Sequence, residues 1–366
     1  MKFQSSTLSL SIALALAAAA TPATAASGGT VYTETNSAAG NAVVAFQHAA
    51  DGTLTQVGQV STGGLGSEGG LGNQGALALG GNGRWLFAVN AGSNEISVLE
   101  TRATGLALVD KVASGGTRPV SLTVHGSMVY VLNAGGTGNI TGFRVTVAGR
   151  LQPIAGSTRA LSSSSAGAAQ VQFTHEGEQL IVTEKATNVI DVYRVDDGLA
   201  SGPVAHASHG ATPFGFAIDR REHLIVSEAF GGAANASALS SYDLGGDASS
   251  LPIISASVPT NQSAACWVVV AGRGRYAYTA NTGSGSVTGY RIGSNGSLTS
   301  LTSSGRTAQT GAGPTDEAVS ADSRLLFVLS PKVGELAAFR VQADGSLVAA
   351  GSVAGLSSVA TGLVVR

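Results

Sequence analysis

Two glutamates, Glu184 and Glu228, each end a short apolar run, Leu180-Ile181-Val182-Thr183 and Leu224-Ile225-Val226-Ser227. A carboxylate at the end of such a run and near a shared axis is able to move protons or to hold a cation. Its plainer role is to accept backbone N–H groups of the following turn, as the Asn residues at the same repeat position would. His209, in His209-Gly210-Ala211-Thr212-Pro213, is the histidine expected nearest to them and is the general-base candidate. Arg118 is the candidate for holding an anionic substrate, unless it pairs with a neighbouring carboxylate. Asn90, Asn133, Gln170, Trp267, Asn281 and Asp316 complete the set expected to touch a small ligand, with Phe214 and Glu317 in the same channel-lining row. His206 and His209 lie three apart without a matching His or Cys pair, so no metal site is expected, and no organic cofactor is demanded. Gly63-Gly64-Leu65-Gly66-Ser67-Glu68-Gly69-Gly70 lacks the Gly-Lys-Ser/Thr of a phosphate cradle and reads as a flexible connection. Cys266, the single cysteine, precedes Trp267-Val268-Val269-Val270 and reads as a small buried apolar residue.

The elements that must position these residues repeat. Asn90, Asn133, Glu184, Glu228, Asn281 and Ser330 close equivalent phrases, of which Arg84-Trp85-Leu86-Phe87-Ala88-Val89-Asn90 is the clearest. A period in the forties with several short strands per unit is the mark of a propeller blade. Asp51-Gly52, Asp197-Gly198, Asn295-Gly296 and Asp344-Gly345 supply hairpin turns, where positive φ is needed. The units fall at 75–116, 117–161, 167–210, 211–260, 263–311 and 313–356. Residues 28–64 and 357–366 are left to share a seventh blade. The expectation is an all-β, seven-bladed β-propeller with four-stranded blades, closed by strands from both termini, which removes open edges. The variable B–C and D–A connections then surround one mouth of the channel, where recognition is expected.

Composition narrows the class. The 366 residues are 43% apolar and 11% charged, with 51 glycines and a net charge near −2. That charge gives no field for nucleic acid or an anionic membrane. Lys2, the apolar run Leu8 to Ala20 and Ala23-Thr24-Ala25 read as a secretory signal peptide over residues 1–25. No later stretch is long and apolar enough to span a bilayer. A monomeric, periplasmic or secreted bacterial protein without membrane insertion is expected, its partner a small-molecule ligand or another protein.

Gly80-Gly81-Asn82-Gly83-Arg84-Trp85-Leu86-Phe87-Ala88-Val89-Asn90 and Val192-Tyr193-Arg194-Val195-Asp196-Asp197-Gly198-Leu199 resemble the seven-bladed lactonase family. That family includes propeller-type 6-phosphogluconolactonase and fungal carboxymuconate cyclases. The resemblance implies activity from a His, an Arg and a Glu at the channel mouth. Its Glu matches Glu228, while its Pro-Arg-His phrase stands as Pro213-Phe214-Gly215 and a related His position as Ala169-Gln170. Two functions follow as expectations. One is lactone ring opening or its reverse, with Glu228, Glu184 and His209 handling protons. The other is a non-enzymatic binding propeller.

Overall fold

The computed structural model describes residues 1–4 and 27–366. The signal-peptide reading over 1–25 therefore lies almost wholly outside the described residues. Seven antiparallel sheets form a ring. In blade 2, the strands Leu77–Gly80, Trp85–Asn90, Glu95–Arg102 and Gly105–Ala113 run from the axis outward. Blades 3 and 6 break the outermost strand into two pieces. Blade 1 is the shared one: Thr361–Val365 is its inner strand, paired with Ser27–Glu34 from the other end of the chain. Arg366 N–H to Thr30 O at 2.9 Å extends that closure.

The second strand of each blade is packed on both faces by neighbouring blades, so it carries no polar alternation. Trp85–Asn90, His223–Glu228 and Leu325–Ser330 are buried at every residue. The outer strands face water, and no residue of Gly105–Ala113 is fully buried. The Asp-Gly and Asn-Gly turns divide into two kinds. Asp197 and Gly198 both take positive φ, at 46° and 81°, in a two-residue hairpin. At Asp51, Asn295 and Asp344 only the following glycine does so, and the side chain instead accepts the N–H two residues on, from Thr53, Ser297 and Ser346.

The connection Ser61 to Gln74 is pinned along its length rather than left as a free loop. Asn36 accepts Ser67 N–H at 2.8 Å and donates to Gly69 O at 2.8 Å. A Cβ on Gly66 would lie 2.2 Å from Asn36 O, so only glycine fits against that backbone. Its end enters the channel. Asn73 donates to Val120 O of blade 3, and its own carbonyl accepts the Trp267 indole N–H of blade 6 at 2.8 Å. Gln74 bonds Ala169 O through its backbone and both polar groups of Val268 through its amide, at 2.8 and 3.0 Å. Asn73 and Gln74 thus bar the channel at mid-depth. A Cβ on Gly215 would meet Gln74 Oε1 at 2.0 Å and Cys266 O at 2.5 Å. Gly215→Ala should therefore cost about 1–3 kcal/mol by overpacking, read as a fall in thermal midpoint.

Candidate active site at the channel mouth

Above the bar lies a bowl of about 440 Å³, within the size range of small-molecule sites. Leu71, Phe214, Trp267, Pro331 and Val359 make its walls, with Cys266 and Thr315 among them. The Phe214 and Trp267 rings lie 5.1 Å apart at a tilt of 55°. The lining holds no carboxylate and no imidazole among the described residues. Lys332 lines it directly. Lys185 borders it, its Nζ 4.6 Å from the centre of the Phe214 ring and donating to Gly72 O. Arg118 reaches the rim through Gly70 O at 3.3 Å. Among the described residues, none of these three cations meets a carboxylate in an ion pair.

Burial against this carbon surface lowers the Lys185 amine to about 8, and the Arg118 charge works in the same direction. Burial pushes the Cys266 thiol up to about 12. Cys266 is therefore a protonated thiol at neutral pH and not a nucleophile. The bowl is thus an apolar cup with positive charge at its edge and no carboxylate paired with that charge among the described residues.

The residues singled out in the sequence fall into four places. Arg118 and Trp267 meet at the bowl. Gln170 and Asp316 line a second chamber of about 390 Å³ below the bar, together with Gln74 and Glu317. Asn90, Asn133, Glu184, Glu228 and Asn281 end their strands fully buried in the seams between blades. There Glu228 accepts Gly210 N–H at 2.8 Å and the Ser240 and Ser257 hydroxyls at 2.5 and 2.6 Å. Asn90 and Asn281 donate to Ser97 and Thr288 in the same way, at 2.8 and 2.9 Å. His209 is exposed, and its Nδ1 lies 2.9 Å from Ser257 Oγ. Glu228 and His209 are brought together through Ser257, on the outer side of the ring. His206 lies 2.9 Å from Ala248 O, and no group of three metal-ligating residues occurs among the described residues.

Glu184 has a neighbour the sequence did not reveal. Ser162 N–H is shared between Glu184 Oε1 at 3.1 Å and Asp191 Oδ2 at 3.0 Å. Burial, then the Glu184 carboxyl, raises the Asp191 pKa well above the ordinary value. The folded protein then binds this proton more tightly than the unfolded chain does. Stability falls as pH rises above the ordinary carboxyl range towards neutrality. Asp191→Asn should remove that loss, raising the thermal midpoint by about 2–4 °C at pH 8 and little or not at all at pH 4.

Three residues escaped the sequence reading. Glu34 is the seventh member of the strand-end set, since it closes Ser27–Glu34 as Asn90 closes its own strand. It accepts Asn41 Nδ2 at 2.6 Å, and burial holds its pKa well above the usual range. Lys185 follows Glu184 in a polar turn and carries no motif. Asn73 sits in a glycine-rich stretch without periodicity.

The sequence matches the family profile described as "Lactonase, 7-bladed beta-propeller" over residues 31–161 and 228–361, well over half the chain. We found no match among curated proteins. Among solved structures, a proposed 6-phosphogluconolactonase from Bacteroides fragilis superposes with a TM-score of 0.75 at 18% identity, covering 94% of this chain and 100% of that one. The periplasmic gluconolactonase of Pseudomonas aeruginosa superposes at 0.74 with 14% identity, covering 92% and 98%. At these identities the structural likeness is one of fold, and it agrees with the profile match. No helix among the described residues is long and apolar enough to cross a membrane. The chain belongs to the seven-bladed β-propeller lactonase family.

Proposed function

We propose that this protein opens the ring of a small anionic lactone in the bowl at the channel mouth. The observation that carries the reading is the set of unpaired cations, Arg118, Lys185 and Lys332, around a cup with no carboxylate in its lining. Lactone hydrolysis converts a neutral ester into a carboxylate. Water adds to the ring carbonyl, and negative charge gathers on its oxygen. The ring C–O bond then breaks, the alkoxide takes one of the two water protons, and the other leaves the new carboxylic acid for solvent, which gives the carboxylate. A desolvated cation at the carbonyl favours the charged intermediate over the neutral substrate, which is the condition for rate acceleration. Lys185 is the group for that role, because Phe214 and Gly72 hold its amine beside the cup. Arg118 and Lys332 suit a carboxylate at the rim. Glu228 enters as a positioning residue, since its bond to Gly210 N–H fixes the segment leading to Phe214.

The second reading is a propeller that binds such anions without turning them over. It is favoured by the lack of a carboxylate or imidazole base among the described residues of the lining. The purified protein assayed on a panel of lactones, beside Lys185→Met and Glu228→Gln, separates the two. Turnover lost with Lys185→Met but retained in Glu228→Gln supports hydrolysis in the bowl. No turnover on any lactone leaves the binding reading. Export belongs to the same proposal and rests on Lys2, Leu8 to Ala20 and Ala23-Thr24-Ala25. Cell fractionation with N-terminal sequencing of the mature chain tests it.

A further inference from the structure

The bowl is built for one kind of molecule body, and the geometry points to a lactone or hydroxy acid whose body is hydrocarbon rather than sugar. This rests on the hydrolase reading for the reaction, and on the lining alone for recognition. Several of the polar side chains of the lining are already spent on the protein itself, which leaves the Thr315 and Ser358 hydroxyls and the Lys332 amine as its free side-chain donors among the described residues. The Trp267 indole N–H is taken by Asn73 O at 2.8 Å. The Asn73 amide is taken by Val120 O and by Thr361 Oγ1. Thr282 Oγ1 donates to Pro314 O at 2.8 Å. The buried Thr315 hydroxyl is left without a partner. What faces the cup is therefore mostly carbon: Leu71, Phe214, Trp267, Pro331 and Val359.

A sugar lactone carries a hydroxyl on nearly every carbon. Buried in this cup, most of those hydroxyls would lose water and gain nothing, at about tenfold in affinity for each one stranded. A flat or alicyclic hydrocarbon body loses little by leaving water and packs against the wall made by the Phe214 and Trp267 rings. The cations then select for one anionic group at the edge of that body. Phosphorylated or polyhydroxylated sugar acids fit the charge and fail the lining.

Titration calorimetry of the full-length mature protein at pH 7 tests this with benzoate, benzamide and D-gluconate. Benzoate should bind at least about a hundredfold more tightly than gluconate and about tenfold more tightly than neutral benzamide. Lys185→Met should weaken benzoate about tenfold and leave benzamide unchanged. Gluconate binding as tightly as benzoate, or benzoate not binding at all, overturns the inference. The hydrolase reading fails separately. A protein that binds benzoate but opens no lactone keeps the recognition and loses the reaction. One that opens sugar lactones while ignoring benzoate does the reverse.

Discussion

Lys185→Met should lower kcat/KM on any lactone the protein opens by about a hundredfold, mostly in kcat. The figure follows from the loss typical of removing one preorganised donor to a developing oxyanion. Methionine keeps most of the length and the apolar contact with Phe214 while removing the charge and the bond to Gly72 O, so the fold should hold. The pH profile supplies a readout that a structural role does not move. The carbon surface of the bowl lowers the amine to about 8, with Arg118 adding to the shift. Cys266, the other ionisable group close to it, is raised to about 12 and stays neutral through this range. Wild-type kcat/KM should therefore fall as pH rises through about 8, because the ammonium is lost there. Lys185→Met should show no such limb once spontaneous hydrolysis is subtracted. A variant within threefold of wild type, or one that keeps the alkaline limb, would show that Lys185 is not the electrophile.

The fold was legible because each blade repeats a strand, a turn and a strand with fixed residue types. The end strands, Gly29-Thr30-Val31-Tyr32 and Gly362-Leu363-Val364-Val365, announce the shared blade. The site was legible only in part. A repeat position says that Asn90, Glu184 and Glu228 are equivalent, but not which way they face. The register turns them into the seams, where hydroxyls and backbone N–H groups hold them. Glu34 escaped because its blade takes its inner strand from the far end of the chain, so no inner-strand turn precedes it in sequence. Lys185 looks like any solvated lysine in a turn. Its burial is made by Phe214 in the next blade and by Gly72, 113 residues away. Nothing in a local window reports contacts of that range.

Glu317→Leu should stabilise the protein, by about 2 kcal/mol or more at pH 8. Strand register shows why. Glu317 faces the third-to-last residue of its neighbouring strand, as do Val364, Leu77, Leu122, Val171, Phe216 and Val268 in the other blades. Every other inner strand is apolar at this point, so the surroundings already suit a leucine. Glu317 is 2% exposed, and neither carboxyl oxygen has a hydrogen-bond partner. An unpaired polar group in such a place costs roughly 2–7 kcal/mol, and an ionised one more. Burial, then the adjacent Asp316, raises its pKa well above the usual range. The folded chain therefore holds a proton that the unfolded chain releases. Stability is fullest below the ordinary glutamate value and falls as pH rises towards the raised one. Leucine has no proton to hold, so its advantage should be larger at pH 8 than at pH 5, read as thermal midpoints at both. The Asp191 effect has the same sign but lies in a seam between blades rather than in the channel, so the two substitutions should add. A midpoint that falls at both pH values would mean that the carboxyl is held through the lower chamber by water or a cation. The polar member of this ring of seven equivalent positions would then be serving a ligand rather than burdening the fold.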